Sequence, residues 1–282
     1  MIRRKLEESF FRVLMVLATI IVAGSFFLIV GTIFYKGMPF MNWDMVTKIP
    51  GGGFYIGKEG GVLNAIIGSL YVAGGATVLG LIISIPVAIY INMYMNGKNY
   101  VATGLRIAFD VLFGIPSIVY GAFGFFIMIY LGIRASLLGG ILAVTLLVIP
   151  ILVRTLDEVI QTVPKELRDA ALSLGATRWE MSKVVLRQIL PGIFTAILLS
   201  FGRAIGDVAS VLFTAGFSDN IPTSLHQPAA TLPLAIFFQL SSPIEEVQGR
   251  AYASALILTI VVLIITIFSS VLAKRFSKNK IQ

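Results

Sequence analysis

The chain has 282 residues, of which 57% are hydrophobic and 13% charged, at a mean hydropathy of +0.93. That is too little polar surface for a soluble globule of this length, so the chain is read as an integral membrane protein. Its formal charge of +8 is dispersed between apolar runs, which points to membrane topology and away from nucleic acid; the absence of cysteine excludes a disulfide framework, a thiolate metal site and a thiol nucleophile.

Arg3, Arg4, Lys5 and Arg12 precede a first predicted span at residues 13–35. The cationic start resembles a signal peptide, but the apolar run is longer than such a segment needs, which predicts a retained span with a cytoplasmic amino end. Residues 36–61 then form an outer segment. There Gly52, Gly57 and Lys58 fit G-x-x-x-x-G-K, yet Glu59 stands where Ser or Thr would hold magnesium and no strand precedes it, so it is read as a loop and not as a nucleotide site.

A second span is predicted at residues 68–91. Gly74, Gly75 and Gly80 should let neighbouring helices approach closely, and Pro86 should bend its inner end. Residues 92–106 make a polar inner connection, and a third span follows at 107–131. It contains Gly114-Ile115-Pro116-Ser117-Ile118-Val119-Tyr120-Gly121, in which Pro116 removes an N–H and Gly121 thins the helix. The pattern fits a kink beside a cavity and a tight helix contact equally well. Arg106 and Asp110, four apart at its inner end, are expected to pair structurally.

The fourth span, at 137–153, should return the chain to the cytoplasm at Arg154, and the fifth is predicted at 189–213. Residues 217–247 form an outer loop with four prolines, whose middle, 230–240, is expected to dip back as a short apolar helix. A sixth span at 250–273 precedes Lys274, Arg275, Lys278 and Lys280. In this arrangement sixteen of the 22 Lys and Arg residues lie inside and five outside, a strong positive-inside bias that predicts six spans with both termini cytoplasmic.

Between the fourth and fifth spans, residues 154–188 are the longest charged passage. Lys165, Glu166, Arg168 and Asp169 open it, Ala170 and Ala171 are good helix formers of little bulk, and Gly175 permits a left-handed turn before Arg178 and Trp179. The local prediction is helix, turn, helix, with a surface that another protein can pack against. Arg203 and Asp207 are charges inside the fifth span, expensive in lipid and on one helical face; they face the bundle interior as a structural brace or as part of a pathway.

Asp169-Ala170-Ala171, with Gly175 four residues on, resembles the E-A-A-x-x-x-G loop of ABC importer permeases, placed as in that family between two late spans. Asp169 replaces the usual Glu, and Leu190-Pro191 arrives about a turn later than the family's closing Leu-Pro. Residues 114–119, Arg203-Ala204-Ile205-Gly206-Asp207 and Leu212-Phe213-Thr214-Ala215 are similar to the phosphate-specific permease pair. Phe213-Thr214-Ala215-Gly216, Pro222-Thr223-Ser224 and Ala230-Thr231-Leu232-Pro233-Leu234 resemble the PstA-type subunit more than the PstC-type. One departure is Asp207-Val208 where the family usually has Glu-Thr.

The resemblance implies an all-α integral membrane protein of the type I ABC importer permease (MetI-like) fold, a single permease domain over 1–282 with its core at about 60–273. It implies that Glu166, Asp169, Ala170, Ala171 and Gly175 form a coupling loop for an ATP-binding subunit, that Arg203 attracts the anion while Asp207 restrains it, and that Gly114, Pro116 and Ser117 mark a kink near the pathway. It further implies a PstC-like sister permease, two PstB-like ATP-binding subunits holding ATP and magnesium, and an external PstS-like phosphate-binding protein. This chain would be non-catalytic: Walker A and H-E-x-x-H motifs are absent, and its one histidine, His226, falls in the outer loop. A permease for another oxyanion, a secondary transporter and a membrane anchor or sensor are the alternatives.

Overall fold

The computed structural model describes residues 2–51, 59–95 and 99–277. Gly52, Gly57, Lys58, Lys278 and Lys280 lie outside the described residues. The first helix, α1 (Ile2–Gly37), leads through a short 3-10 turn at Met38–Phe40 into α2 (Trp43–Thr47). Then come α3 (Leu63–Ile89), extended by a π-helical turn at Tyr90–Tyr94, α4 (Tyr100–Gly114) and α5 (Ser117–Tyr130). The remainder is α6 (Leu137–Gln161), α7 (Lys165–Ser173), α8 (Arg178–Gln188), α9 (Leu190–Ile205), α10 (Leu232–Leu240) and α11 (Glu245–Ser277). Among the described residues four helices are long and apolar enough to cross a membrane, and up to six crossings result if each of two bent pairs, α4–α5 and α8–α9, is one span.

The core forms where α3 lies along α6. Cβ atoms added at Gly75 and Gly80 would come within 2.8 Å of Ile141 and Leu152, so these glycines set the closeness of the two helices. Gly74 differs from expectation: nothing lies within 4 Å of such an atom, and the residue faces an open groove. Val72, Val144, Val148, Leu152, Leu156, Ile160 and, from α8 and α9, Val185 and Ala196 complete the buried cluster. By contrast α1 is apolar and exposed along nearly the whole of its described length, packing chiefly on α11, as a lipid-facing helix does.

Four predicted elements need correction. The third span is two helices whose axes meet at 97°. The inner connection before it turns helical at Tyr100, well before the expected residue 107. The fourth span's helix does not stop at Arg154 but runs on to Gln161, so the charged passage begins within it. The fifth span ends at Ile205, and residues 206–216 are non-helical, because Gly206 and the Asp207 side chain favour a turn over further helix. The short outer helix expected at 230–240 is present as α10, buried on α3 and α11, with the Leu232 N–H donating to Ser69 Oγ at 2.7 Å.

Candidate functional site: a docking hairpin and a broken span

The hairpin α7–α8 is built by local rules. At the end of α7 the Ala176 N–H donates to the Ala171 carbonyl at 3.1 Å and the Gly175 N–H to that of Leu172 at 3.0 Å, the double bond of a Schellman cap. Gly175 has φ +80°, a left-handed conformation that a Cβ disfavours. Thr177 then opens α8 with a capping box: its hydroxyl accepts from the Glu180 N–H, and the Glu180 carboxylate accepts from the Thr177 N–H at 2.8 Å. These bonds hold the Glu180 carboxyl below its usual pKa range.

The hairpin leaves apolar side chains in water. Leu174 is 88% exposed and Trp179 58%, with Leu172 beside them and Lys183 lying 5.3 Å from the Trp179 ring centroid. Glu166, Asp169 and Ala170 are exposed and Ala171 half-buried. Arg168 turns the other way, donating to the Ile160 carbonyl at 2.7 Å, and burial pulls its guanidinium pKa below the usual value.

The break between α4 and α5 follows from Pro116. The residue before a proline is pushed out of the helical region, and Ile115 is extended at φ −71°, ψ 132°. Pro116 also lacks the N–H that would reach the Leu112 carbonyl; the Tyr120 hydroxyl donates to that carbonyl instead, at 2.7 Å. Gly114 lies at the open corner with nothing near it, and Ser117 begins α5. A Cβ at Gly121 would come within 2.6 Å of the Ala209 carbonyl oxygen, so α5 rests its thin face on the turn that follows α9. The pattern thus gives a break at Pro116 and a close contact at Gly121, the latter with a turn and not with a helix.

That turn is organised by Asp207, whose side chain is 2% exposed. One carboxylate oxygen accepts from Arg203 Nη1 at 3.1 Å; the other accepts from the Ser210 N–H at 2.8 Å and from the Ser210 hydroxyl. Arg203 is 45% exposed, so the pair has one reachable member. Ser210, absent from the sequence-level site, was hidden because its bond to Asp207 exists only once α9 has ended.

On α4, Arg106 and Asp110 each reach a partner on α6. Arg106 forks onto Asp157 of α6, with Nε–Oδ2 2.9 Å and Nη2–Oδ1 3.0 Å, while Asp110 accepts from Arg154. A bidentate guanidinium–carboxylate fork is a strong and geometrically specific contact. Asn92, Asp157 and Gln161 join this network and were not singled out by sequence, since Asp157 counts there as one more charge of the loop.

Residues 80–281 match the family described as binding-protein-dependent transport system inner membrane component. Curated relatives are phosphate transport system permease proteins PstA. That of Xylella fastidiosa (strain Temecula1) is 36% identical over 252 residues, covering 89% of this chain and 85% of the relative. That of Pasteurella multocida (strain Pm70) is 34% identical, covering 98% and 97%. Among solved structures, a chain of the inward-facing MetNI methionine ABC transporter superposes at a TM-score of 0.59 with 18% identity, covering 76% of this chain and 95% of that one, which fixes the shared fold. Helices of this arrangement, a docking hairpin and the family match define the class: a multi-pass inner-membrane permease subunit, a class that works with an ATP-hydrolysing partner and a solute-binding protein. Within it, the chain belongs to the PstA family of phosphate transport system permeases.

Proposed function

We propose that this chain is one of two permease subunits of an ATP-driven importer of inorganic phosphate, with 60–273 as its permease core. Its partners are a PstC-like sister permease, two PstB-like ATP-binding subunits and an external PstS-like phosphate-binding protein. ATP and magnesium belong to the ATP-binding subunits; this chain breaks no bond. Both termini are cytoplasmic, on the side of the hairpin.

The observation that carries this reading is the hairpin itself. A capped pair of short helices leaves Leu172, Leu174 and Trp179 exposed close in sequence to the Asp169-Ala170-Ala171 motif. Exposed apolar residues on a polar hairpin, where lipid does not reach, are an interaction surface. Arg203 serves the substrate side. Its guanidinium keeps donors free of Asp207 and suits a phosphate dianion or monoanion, while Asp207 holds it in place without being reachable itself.

The hairpin is tested by Gly175→Val and Ala171→Glu. The first forces a β-branched residue into a left-handed turn, at a cost of about 1 to 2 kcal/mol; the second places a charge at a packed contact. Both variants should reach the membrane but copurify with much less ATP-binding subunit than the native chain. Undiminished copurification of both would refute the docking assignment.

A further inference from the structure

The transport reading leaves the inner end of α3 without a role. There the helix widens into the π-helical turn Tyr90–Tyr94, a geometry that is uncommon and frequently placed at functional sites. The turn reaches in two directions. The Tyr94 carbonyl accepts from Arg178 Nη1 of the hairpin at 3.1 Å, and the same guanidinium lies 6.0 Å from the Tyr94 ring centroid. Two residues earlier, Asn92 donates to Asp157 Oδ1 at 2.7 Å and accepts from Arg106 Nη2 at 3.2 Å.

The hairpin's other helix arrives at the same place. Arg168 bonds the Ile160 carbonyl, less than one turn beyond Asp157 on α6. Both arms of the hairpin are thus tied to elements that meet at Asn92, Arg106 and Asp157, and Arg106 belongs to α4, whose far end is the break at Ile115-Pro116. Asp157 is buried and accepts from Arg106, Asn92 and Gln161. A bidentate fork supplemented by amide donors has one favourable geometry, so the joined ends of α3, α4 and α6 move together and do not slide past one another. A cavity of about 220 Å³ beside the fork, lined by Phe109, Asp110 and Glu158 among others, leaves α4 room to tilt.

We propose that Asn92, Arg106 and Asp157 are positioning residues that pass displacement of the docked hairpin to the broken third span, and so set how much phosphate moves per ATP hydrolysed. This rests on the reading that the hairpin docks an ATP-binding subunit. A mere brace would support folding and leave that ratio alone.

The test uses the whole complex, with sister permease and ATP-binding subunits, reconstituted in vesicles with the phosphate-binding protein, measuring ATP hydrolysis and phosphate uptake together. The variants are Arg106→Gln, Asn92→Ala and the exchange of Arg106→Asp with Asp157→Arg. In the single variants the complex assembles and hydrolyses ATP, but phosphate moved per ATP falls about 2- to 30-fold, the range of coupling changes along such networks; the exchange restores part of it. An unchanged ratio in both single variants overturns the proposal, as does a loss of assembly in all three, which would make the cluster a folding element. A native complex that retains no ATP-binding subunit refutes the docking reading instead and this inference with it, so the two failures are told apart by the native control.

Discussion

Asp207 gathers three donors, two from Ser210 and one from Arg203, while almost none of its surface meets solvent. Its buried carboxylate ties the turn after α9 together. Arg203→Gln should abolish phosphate uptake with the complex still assembled, because charge is lost where a reachable cation is needed. Asp207→Asn keeps the acceptor for the Ser210 N–H and should retain assembly with reduced uptake. Asp207→Ala removes the acceptor of the buried Ser210 N–H, a loss of about 1 to 3 kcal/mol, and leaves Arg203 unrestrained, so both assembly and uptake should fall. Comparing complex yield with uptake for the three variants checks this; full uptake by Arg203→Gln would make the pair structural. The spacing of Arg203 and Asp207 was legible as an i,i+4 pair. Ser210 was not, because in a continuous helix to residue 213 its N–H would donate to the Gly206 carbonyl and not to the Asp207 carboxylate.

At the scale of elements, the third span behaves as two pieces with different demands. Gly114 has open space around its missing side chain, whereas a side chain at Gly121 would meet the backbone of Ala209 and Ser210, which cannot rotate away. Gly114→Ala should therefore be tolerated, while Gly121→Leu should cost about 1 to 3 kcal/mol of overpacking and lower the thermal stability of the purified complex. Equal melting temperatures for the two variants would contradict the contact. The helix, turn, helix order of the hairpin was readable because its signals are local, helix formers and a glycine for the left-handed turn; the Thr177–Glu180 box, equally local, was not singled out. The 97° angle was not, because Pro116 dictates that a helix stops and not where the next one points. Tyr120 and the α5 contact with the Asp207 turn set that direction, and both depend on residues distant in sequence. The same reason hid the fork from Arg106 to Asp157, 51 positions apart.

For the whole molecule, the membrane character and the number of crossings follow from apolar blocks and the distribution of positive charge, which is why they were visible without a structure. The short helix α10, the α3–α6 core and the exposed apolar α1 complete the arrangement around the hairpin and the buried Asp207 turn. Phosphate as the substrate rests on kinship with PstA permeases and on the chemistry of Arg203, so it is the claim to test most directly. The decisive measurement is uptake of labelled phosphate by vesicles holding the full complex and the phosphate-binding protein, with ATP on the hairpin side and sulfate as competitor. The account predicts ATP-dependent phosphate accumulation that excess sulfate does not suppress; accumulation without ATP, or uptake of sulfate in preference to phosphate, would contradict it.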